Sequence, residues 1–414
     1  MNYLFMTDAY YPKPSANGNC VREIVKNLRK RGHRVFTISW EEDCQIQENT
    51  DDYTIKTWYV LRTPSVYLKS NVKKKLISLG GAISHNLSPV SYWSYVRQYL
   101  KIAETIIKET DIHCIICAQF PFEAVCAGYI LKKRHPNLRF MTYELDYFSE
   151  ASEGNLPTFI YRFRKIIYRT WYRKIYKLTA RVLYMEPHKL NYERENYYGF
   201  KEKFFGIFPP LLLDLESRTD QTERFEYQKV MKSHSNIKML YSGVLLVNVR
   251  PPISCCRILA ICNNSIPLHC DFFSRGDYED FLVEQAQRFP GVFHPNGYVS
   301  QKELAECIRN TDVLLSIGNS VSEMLPSKIF SYITYQKPII HFSQQEKDMA
   351  ADILKYYPYA LVIPDNISDY EAAKRIVEFV QQFHTKHMLD YKTLLKKFEK
   401  CTPDYTADII EMCR

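Results

Sequence analysis

The chain has 414 residues, 46% hydrophobic and 24% charged, and 55 Lys and Arg outweigh 46 Asp and Glu for a net charge of +9. This is the globular range, with enough apolar mass for about two domains, and the absence of any run of about 18 apolar residues excludes a membrane-spanning helix. The moderate basic excess suits anionic partners such as nucleotide phosphates or acidic lipid.

The opening run Tyr3 to Met6 reads as a first strand. It lacks the basic start and cleavage site of a secretory signal, so a cytoplasmic protein is expected. A loop to Asn19 follows, and Gly18 within it lets the backbone come close to a ligand. Cys20 to Arg31 is an amphipathic helix with Val21, Ile24, Val25 and Leu28 on one face, and Arg34 to Trp40 is the second strand. No GxGxxG accompanies this β-α-β start, which argues against a nicotinamide or flavin enzyme. Residues 44–100, with Lys73, Lys74 and Lys75 and the pair Gly80 and Gly81, read as irregular. Helix 99–108, strand Cys114 to Ala118, helix 121–134 and strand Arg139 to Tyr143 then continue an α/β pattern. Polar residues follow at the strand's carboxyl end. Among them are Glu144 and Asp146, where a cleft is expected or a helix is capped. Twelve cysteines are scattered, and the one CxxC, Cys114 and Cys117, lies inside a strand as two buried thiols. No spacing fits zinc, so no metal is expected, and reduced cysteines fit the cytoplasm.

From Asn155 to Tyr184 there are eight Lys or Arg and no Asp or Glu. At helical spacing Arg162, Lys165, Arg169, Arg173 and Lys177 share one face, and Ile160, Phe163, Ile167, Trp171 and Ile175 roughly the opposite one. The helix over 159–177 either packs its apolar side with a wet basic face or shows that face to an anionic membrane surface, and the two are compatible. No nucleic-acid motif accompanies it, so nucleic acid is not expected as a partner. A strand over 182–185 and a helix over 186–197 lead to the linker candidate at Phe208 to Asp214, with its two prolines.

A second β-α-β series opens on Met239 to Gly243, a strand ending in glycine, with Arg250 shortly after. A strand from His269 ends in Ser274, Arg275 and Gly276. After a helix containing Leu304, Cys307 and Ile308 comes the buried strand Val313 to Ile317. Next come a polar loop, Pro326 at a first helical position, a helix to about Tyr335, the exit Gln336, Lys337 and Pro338, and another strand at Ile339. Ligands of doubly wound sheets bind at such strand ends, and free N–H groups at the helix start with Lys328 beside them suit an anion. A strand over 359–363 and helices over 370–383, 389–400 and 404–413 complete the chain.

The stretch Glu323, Met324, Leu325, Pro326, Ser327, Lys328 through Pro338 resembles the donor-binding segment of GT-B glycosyltransferases, closest to the retaining family 4. The glycine-bearing first loop and the Ser242–Gly243 strand resemble the same family. The resemblance implies two Rossmann-like domains facing each other across a cleft: 1–208 on the acceptor side, 209–385 binding the donor, and 386–414 as helices returning to the first domain. It implies transfer of a sugar from a nucleotide-diphosphate donor to a hydroxyl of a saccharide or lipid-linked saccharide, in surface polysaccharide assembly, without a metal. Glu323 then contacts the donor sugar, Asp146 (with Glu144 second) orients or deprotonates the acceptor hydroxyl, and Lys328, Arg250, Arg275, Gly18, Gly243 and the amides of Met324, Leu325 and Ser327 contact the donor. Where the family has a second acid, eight positions after Glu323, this chain has Ser331, which offers one hydrogen bond and no bidentate carboxylate. A degenerate transferase acting as a binding scaffold, or a sugar-nucleotide epimerase, are the alternative readings.

Overall fold

Apolar runs without alternation make strands buried on both faces, and parallel sheets are where such strands belong. A computed structural model describes residues 1–10, 14–40, 49–55, 89–147, 158–213, 236–320, 325–383 and 390–412. The chain forms two compact units, Met1–Pro210 with Pro403–Arg414, and Leu211–Thr402.

The first unit is built on seven strands: β1 (Asn2–Met6), β2 (Arg34–Trp40), β3 (Asp52–Ile55), β4 (Cys114–Ala118), β5 (Arg139–Glu144), β6 (Arg181–Met185) and β7 (Phe204–Ile207). Their order is β3-β2-β1-β4-β5-β6-β7, parallel throughout. Strand order reverses between β1 and β4. Helices α1 (Ala16–Lys30), α2 (Trp93–Glu109), α3 (Phe122–Arg134), α4 (Thr158–Leu178) and α5 (Lys189–Arg194) connect them. The apolar stripe expected on α1 is buried: Val21, Ile24, Val25 and Leu28. Strands β3 and β7 were not legible in the sequence, since both are four residues long and carry no alternation.

The tyrosines find a use here. Tyr168, Tyr172 and Tyr176 on α4 pack with Tyr184, Tyr192, Tyr197 and Tyr198 in one buried cluster. Tyr172 stacks on Tyr176 with centroids 5.3 Å apart, and Tyr147 meets Tyr192 edge-on at 5.0 Å. This packing corrects the expected faces of α4. Its buried side is Arg164, Tyr168, Tyr172, Ile175 and Tyr176, while Phe163 and Ile166 are 54% and 63% exposed. Two cations of the expected wet face are engaged: Glu195 takes Arg169 at 2.9 Å and Lys165 at 3.5 Å.

The second unit has six strands, β8 (Ile237–Leu245), β9 (Leu268–Gly276), β10 (Phe293–Pro295), β11 (Val313–Ile317), β12 (Ile339–Phe342) and β13 (Ala360–Ile363). They are all parallel, in the order β10-β9-β8-β11-β12-β13. The reversal falls between β8 and β11. Helices α6 (Ile253–Cys262), α7 (Glu279–Arg288), α8 (Gln301–Arg309), α9 (Lys328–Thr334), α10 (Met349–Leu354), α11 (Asp369–Phe383) and α12 (Tyr391–Lys397) complete it. The sequence starts α9 at Pro326, but Pro326 and Ser327 form the preceding turn. The sequence places the return to the first unit at residue 386. In the structure α12 stays with the second unit, where the Tyr391 hydroxyl donates to the Leu213 carbonyl and Leu212 N–H to Cys401 O at 3.0 Å. The final helix, α13 (Pro403–Glu411), belongs to the first unit. Arg31 at the end of α1 bonds Asp404 at 2.9 Å, Asp408 at 2.6 Å and Glu411 at 3.0 Å, and Arg181 donates to Ile409 O at 2.6 Å. All ten described cysteines are free thiols, nine of them buried.

Just past α9, Gln336 sits at φ +54°. Left-handed backbone costs a non-glycine residue about 1–2 kcal/mol, and the Gln336 side-chain nitrogen is buried without a hydrogen-bond partner. Gln336→Gly is therefore expected to raise stability by about 0.5–1 kcal/mol after glycine's own entropic cost, read as a higher urea midpoint. A lower midpoint would show that the glutamine's packing outweighs the strain.

Candidate active site

In the second unit the chemistry collects where strand order reverses, at the carboxyl ends of β8 and β11. Ser242 lies on β8, and its N–H donates to the Tyr332 hydroxyl at 3.0 Å, with the two hydroxyls 3.1 Å apart. Lys328, the first residue of α9, donates from Nζ to Ser242 Oγ at 3.1 Å. Lys328 and Tyr332 are four apart on one helix, so both reach the same strand residue. Arg250, in the turn after β8, donates from Nε and Nη2 to Asn319 Oδ1 at 2.9 and 2.6 Å. Asn319 follows β11 and is 2% exposed. Ser320 N–H donates back to Val249 O at 2.7 Å. The two turns are thereby locked together across the reversal point.

Three cations bear on this spot. Lys328 keeps an accessible surface, yet the protein around its ammonium withdraws solvent, and the guanidiniums of Arg250 and then Arg275 repel it. Together these push it down to about 8. Arg275, at the end of β9, lies over the Tyr298 ring at 5.1 Å. Among the described residues no carboxylate pairs with Lys328, Arg250 or Arg275.

The other expected residues of this stretch divide. Leu325 is half-buried, and Ser327 stands at the N-terminal boundary of α9 without a side-chain capping bond. Ser331 turns back on its own helix, donating to Lys328 O at 2.9 Å. Gly243 leaves room for the Tyr241 hydroxyl, which would lie 2.6 Å from an added Cβ. Glu323 and Met324 lie outside the described residues. Asn319 and Tyr332 were not singled out from sequence, and Ser242 was named only as part of its strand, with no role of its own. The i, i+4 spacing of Lys328 and Tyr332 was the one available signal.

Beneath these turns is a buried polar chain. His341 Nδ1 meets Ser316 Oγ at 2.9 Å, and Nε2 meets Asp348 Oδ2 at 2.8 Å. Burial alone would raise the Asp348 carboxyl, but the bonds from His341, Ser343 and the backbone hold it below the usual range. Asp348 also caps α10 through the Ala350 and Ala351 amides. With His341 at 0% exposure and Ser316 at 6%, this Ser, His and Asp set supports the β11 and β12 ends rather than attacking a substrate.

In the first unit Gly18 serves the chain's own fold. A Cβ there would lie 1.8 Å from Ala9 O, so the close approach it allows is to the preceding loop. Asp146, two residues past β5, is exposed at its surface while the surrounding protein pushes its carboxyl up. Asp146, Glu23 and Asp8 all bear on the buried Cys20 thiol, which burial drives up to about 12. Glu144 is different in kind. It is 1% exposed and accepts hydroxyls from Thr142 at 3.0 Å, Tyr176 at 2.9 Å and Tyr192 at 2.6 Å. Burial raises it to about 7 against the pull of those three donors. Its folded value lies above its ordinary 4.5, so between those two values the folded state holds more proton than the unfolded one, and stability falls as pH rises through that window. Urea unfolding across pH 4.5 to 8 is expected to show this slope in the parent protein, up to about 3 kcal/mol, and Glu144→Gln is expected to lose it. A slope that survives the substitution would locate the titration elsewhere.

No family model matches the sequence, and no curated protein matches it either. Solved structures do. WaaG, a glycosyltransferase involved in lipopolysaccharide biosynthesis, is 15% identical with a TM-score of 0.56, over 99% of each chain. A glycosyltransferase from Rickettsia africae is 13% identical with a TM-score of 0.59, over 100% of this chain and 97% of that one. The catalytic domain of starch synthase IV from Arabidopsis thaliana, bound to ADP and acarbose, is 11% identical with a TM-score of 0.58, over 100% and 98%. Similarity in shape at such low identity speaks to architecture: two parallel α/β sheets in one chain give this protein the GT-B fold.

Proposed function

We propose that the chain is a glycosyltransferase that moves a sugar from a nucleoside-diphosphate donor to a hydroxyl of a saccharide or lipid-linked saccharide. The observation that carries this reading is the gathering of Lys328, Arg250 and Arg275 at the β8–β11 reversal with no carboxylate partner among the described residues. A leaving diphosphate is the anion whose charge develops during glycosyl transfer, and fixed cations aimed at it stabilise that charge. Arg250 and Arg275 supply planar forks for phosphate oxygens, and Lys328 a point charge beside the Ser242 hydroxyl. These side chains supply the counter-charge that a metal supplies in other transferases. Retention of configuration, with Glu323 on the donor sugar and Asp146 orienting the acceptor hydroxyl, completes the reading. The ADP in the starch synthase structure is the model for the nucleotide.

The tests are binding measurements. UDP, GDP and ADP are each titrated by calorimetry, and at least one is expected to bind. Lys328→Met is expected to weaken that binding about ten- to hundredfold, the range for a charge-assisted hydrogen bond. Because the free ammonium titrates near 8 and a bound anion raises it, affinity should fall above pH 8, and Lys328→Met should remove the fall. Undiminished binding in Lys328→Met and Arg250→Met would refute the site.

A second reading is a binding protein of transferase descent. It is favoured by Ser331, whose hydroxyl is spent on its own helix backbone. Nucleotide binding with no donor hydrolysis or transfer across a nucleotide-sugar panel would favour it.

The same proposal places the protein on the inner face of a membrane. Among the described residues no helix is long and apolar enough to cross one. The exposed stripe of α4 carries Arg162, Phe163, Ile166, Arg173, Lys174 and Lys177. That mixture of cations with two apolar side chains suits an anionic lipid surface, at about 1 kcal/mol per cation. Co-sedimentation with phosphatidylglycerol vesicles, absent with phosphatidylcholine and reduced by R173E/K177E, is the expected result. Equal pelleting of parent and variant would exclude α4 as the contact.

A further inference from the structure

Arg164 on α4 belongs neither to the tyrosine cluster nor to the exposed stripe. It is 4% exposed, on the helix face it shares with Tyr168, Tyr172 and Ile175. Its guanidinium lies over the Tyr168 ring at 5.4 Å. That contact covers one flat side and leaves the N–H groups around the edge. Among the described residues no oxygen accepts from them and no carboxylate pairs with the charge. Acids that reach this part of α4 are engaged elsewhere. Glu123, whose charge acts on the Tyr168 hydroxyl, accepts the Ser91 and Tyr92 amides at 2.8 Å each, and Glu195 takes Lys165 and Arg169. A buried cation without a counter-charge is costly, and a bidentate oxyanion is the partner that a guanidinium fork fits.

The position suits a ligand. Tyr172 accepts from Gln119 Nε2 at 2.8 Å, and Gln119 is the residue just after β4. From that level α4 runs back towards the start of β6, so its earlier residues stand beyond the carboxyl ends of the strands. Arg164 precedes Tyr172 by eight residues, about 12 Å along the helix axis. Ligands of doubly wound sheets bind on that side.

We propose that Arg164 anchors an oxyanion, a phosphate or a carboxylate, carried by the acceptor. Its assignment to the acceptor rests on the transferase reading above and adds a charge to the acceptor named there. The donor's diphosphate is already met by the second unit's cations in that reading, so an anion site in the first unit calls for a second charged ligand. An uncharged glycan would leave the guanidinium unpaired. A phospholipid headgroup has the same chemistry, but Arg162, Phe163, Ile166 and Arg173 are exposed while Arg164 is turned to the buried face. A bilayer lying on the exposed stripe does not reach it.

The test is calorimetry on the full chain carrying Lys328→Met and Arg250→Met, which silences the second unit's cations. The probes are glucose 1-phosphate, glucuronic acid and methyl glucoside. One of the two acids is expected to bind, which tells phosphate from carboxylate, and methyl glucoside about tenfold or more weakly. Adding Arg164→Met should cost about ten- to hundredfold of that affinity. Arg164→Lys, which keeps the charge and loses the fork, should fall between. In chloride buffer free of oxyanions, Arg164→Met should leave the thermal midpoint equal or higher, because it removes an unpaired buried charge. A midpoint lower by several degrees makes Arg164 a structural residue and overturns the proposal. So does undiminished acid binding in Arg164→Met, or binding of neither acid. Pelleting with phosphatidylglycerol vesicles should match the parent protein in Arg164→Met. A loss equal to that of R173E/K177E assigns the oxyanion to a headgroup and overturns the acceptor assignment. If no nucleoside diphosphate binds the parent protein, the transferase reading fails instead, and Arg164-dependent binding of an acid probe still supports the oxyanion site.

Discussion

Holding Lys328, Arg250 and Arg275 together costs electrostatic free energy, and the second unit is arranged to sustain that cost. Among the described residues, their positions are set by neutral groups. Asn319 accepts both Arg250 nitrogens, Ser242 accepts Lys328, and Tyr332 holds Ser242 by its backbone and side chain. Had carboxylates done the same work, the cations would be neutralised before any ligand arrived. Polar but uncharged partners keep the geometry fixed and the charge available. The buried His341 and Asp348, set further back, hydrogen-bond to each other at 2.8 Å and support the strand ends.

The first unit solves a different problem with different chemistry. It buries one carboxyl, Glu144, among tyrosines that bring a hydrogen bond at one end and a large apolar ring at the other. The chain's abundance of tyrosine follows in part from this arrangement. Residues 168, 172, 176, 192, 197 and 198 are core residues, and of these 176 and 192 reach Glu144 with their hydroxyls. A phenylalanine core would have packed as well but left the carboxyl with the Thr142 hydroxyl alone of its three donors.

Much of the fold was legible. The long apolar strands, the amphipathic α1 and the alternation of strand and helix in both halves read directly from periodicity. What was not legible has physical causes. Strands β3 and β7 are too short to show a pattern. The orientation of α4 was misread because its tyrosines form the buried side, and Glu195 from a later segment contacts two of its cations. Of the site, Lys328 and Arg250 were visible as cations near strand ends, since parallel sheets make that edge the place to look. Ser242, Asn319 and Tyr332 were not, because a serine, an asparagine or a tyrosine at a strand end is common, and only tertiary contact makes these three a set. Gly18 was read as room for a ligand, whereas the space is taken by the carbonyl of Ala9.

The helix Pro403–Glu411 has a consequence for biosynthesis. The first unit is discontinuous, with residues 403–414 arriving after the whole of the second. As the chain leaves the ribosome, Arg31 and Arg181 wait for their partners in that segment until the second unit has been made. The second unit, encoded by an uninterrupted stretch, has all its residues available sooner. The first unit thus begins to emerge before the second yet closes only after it.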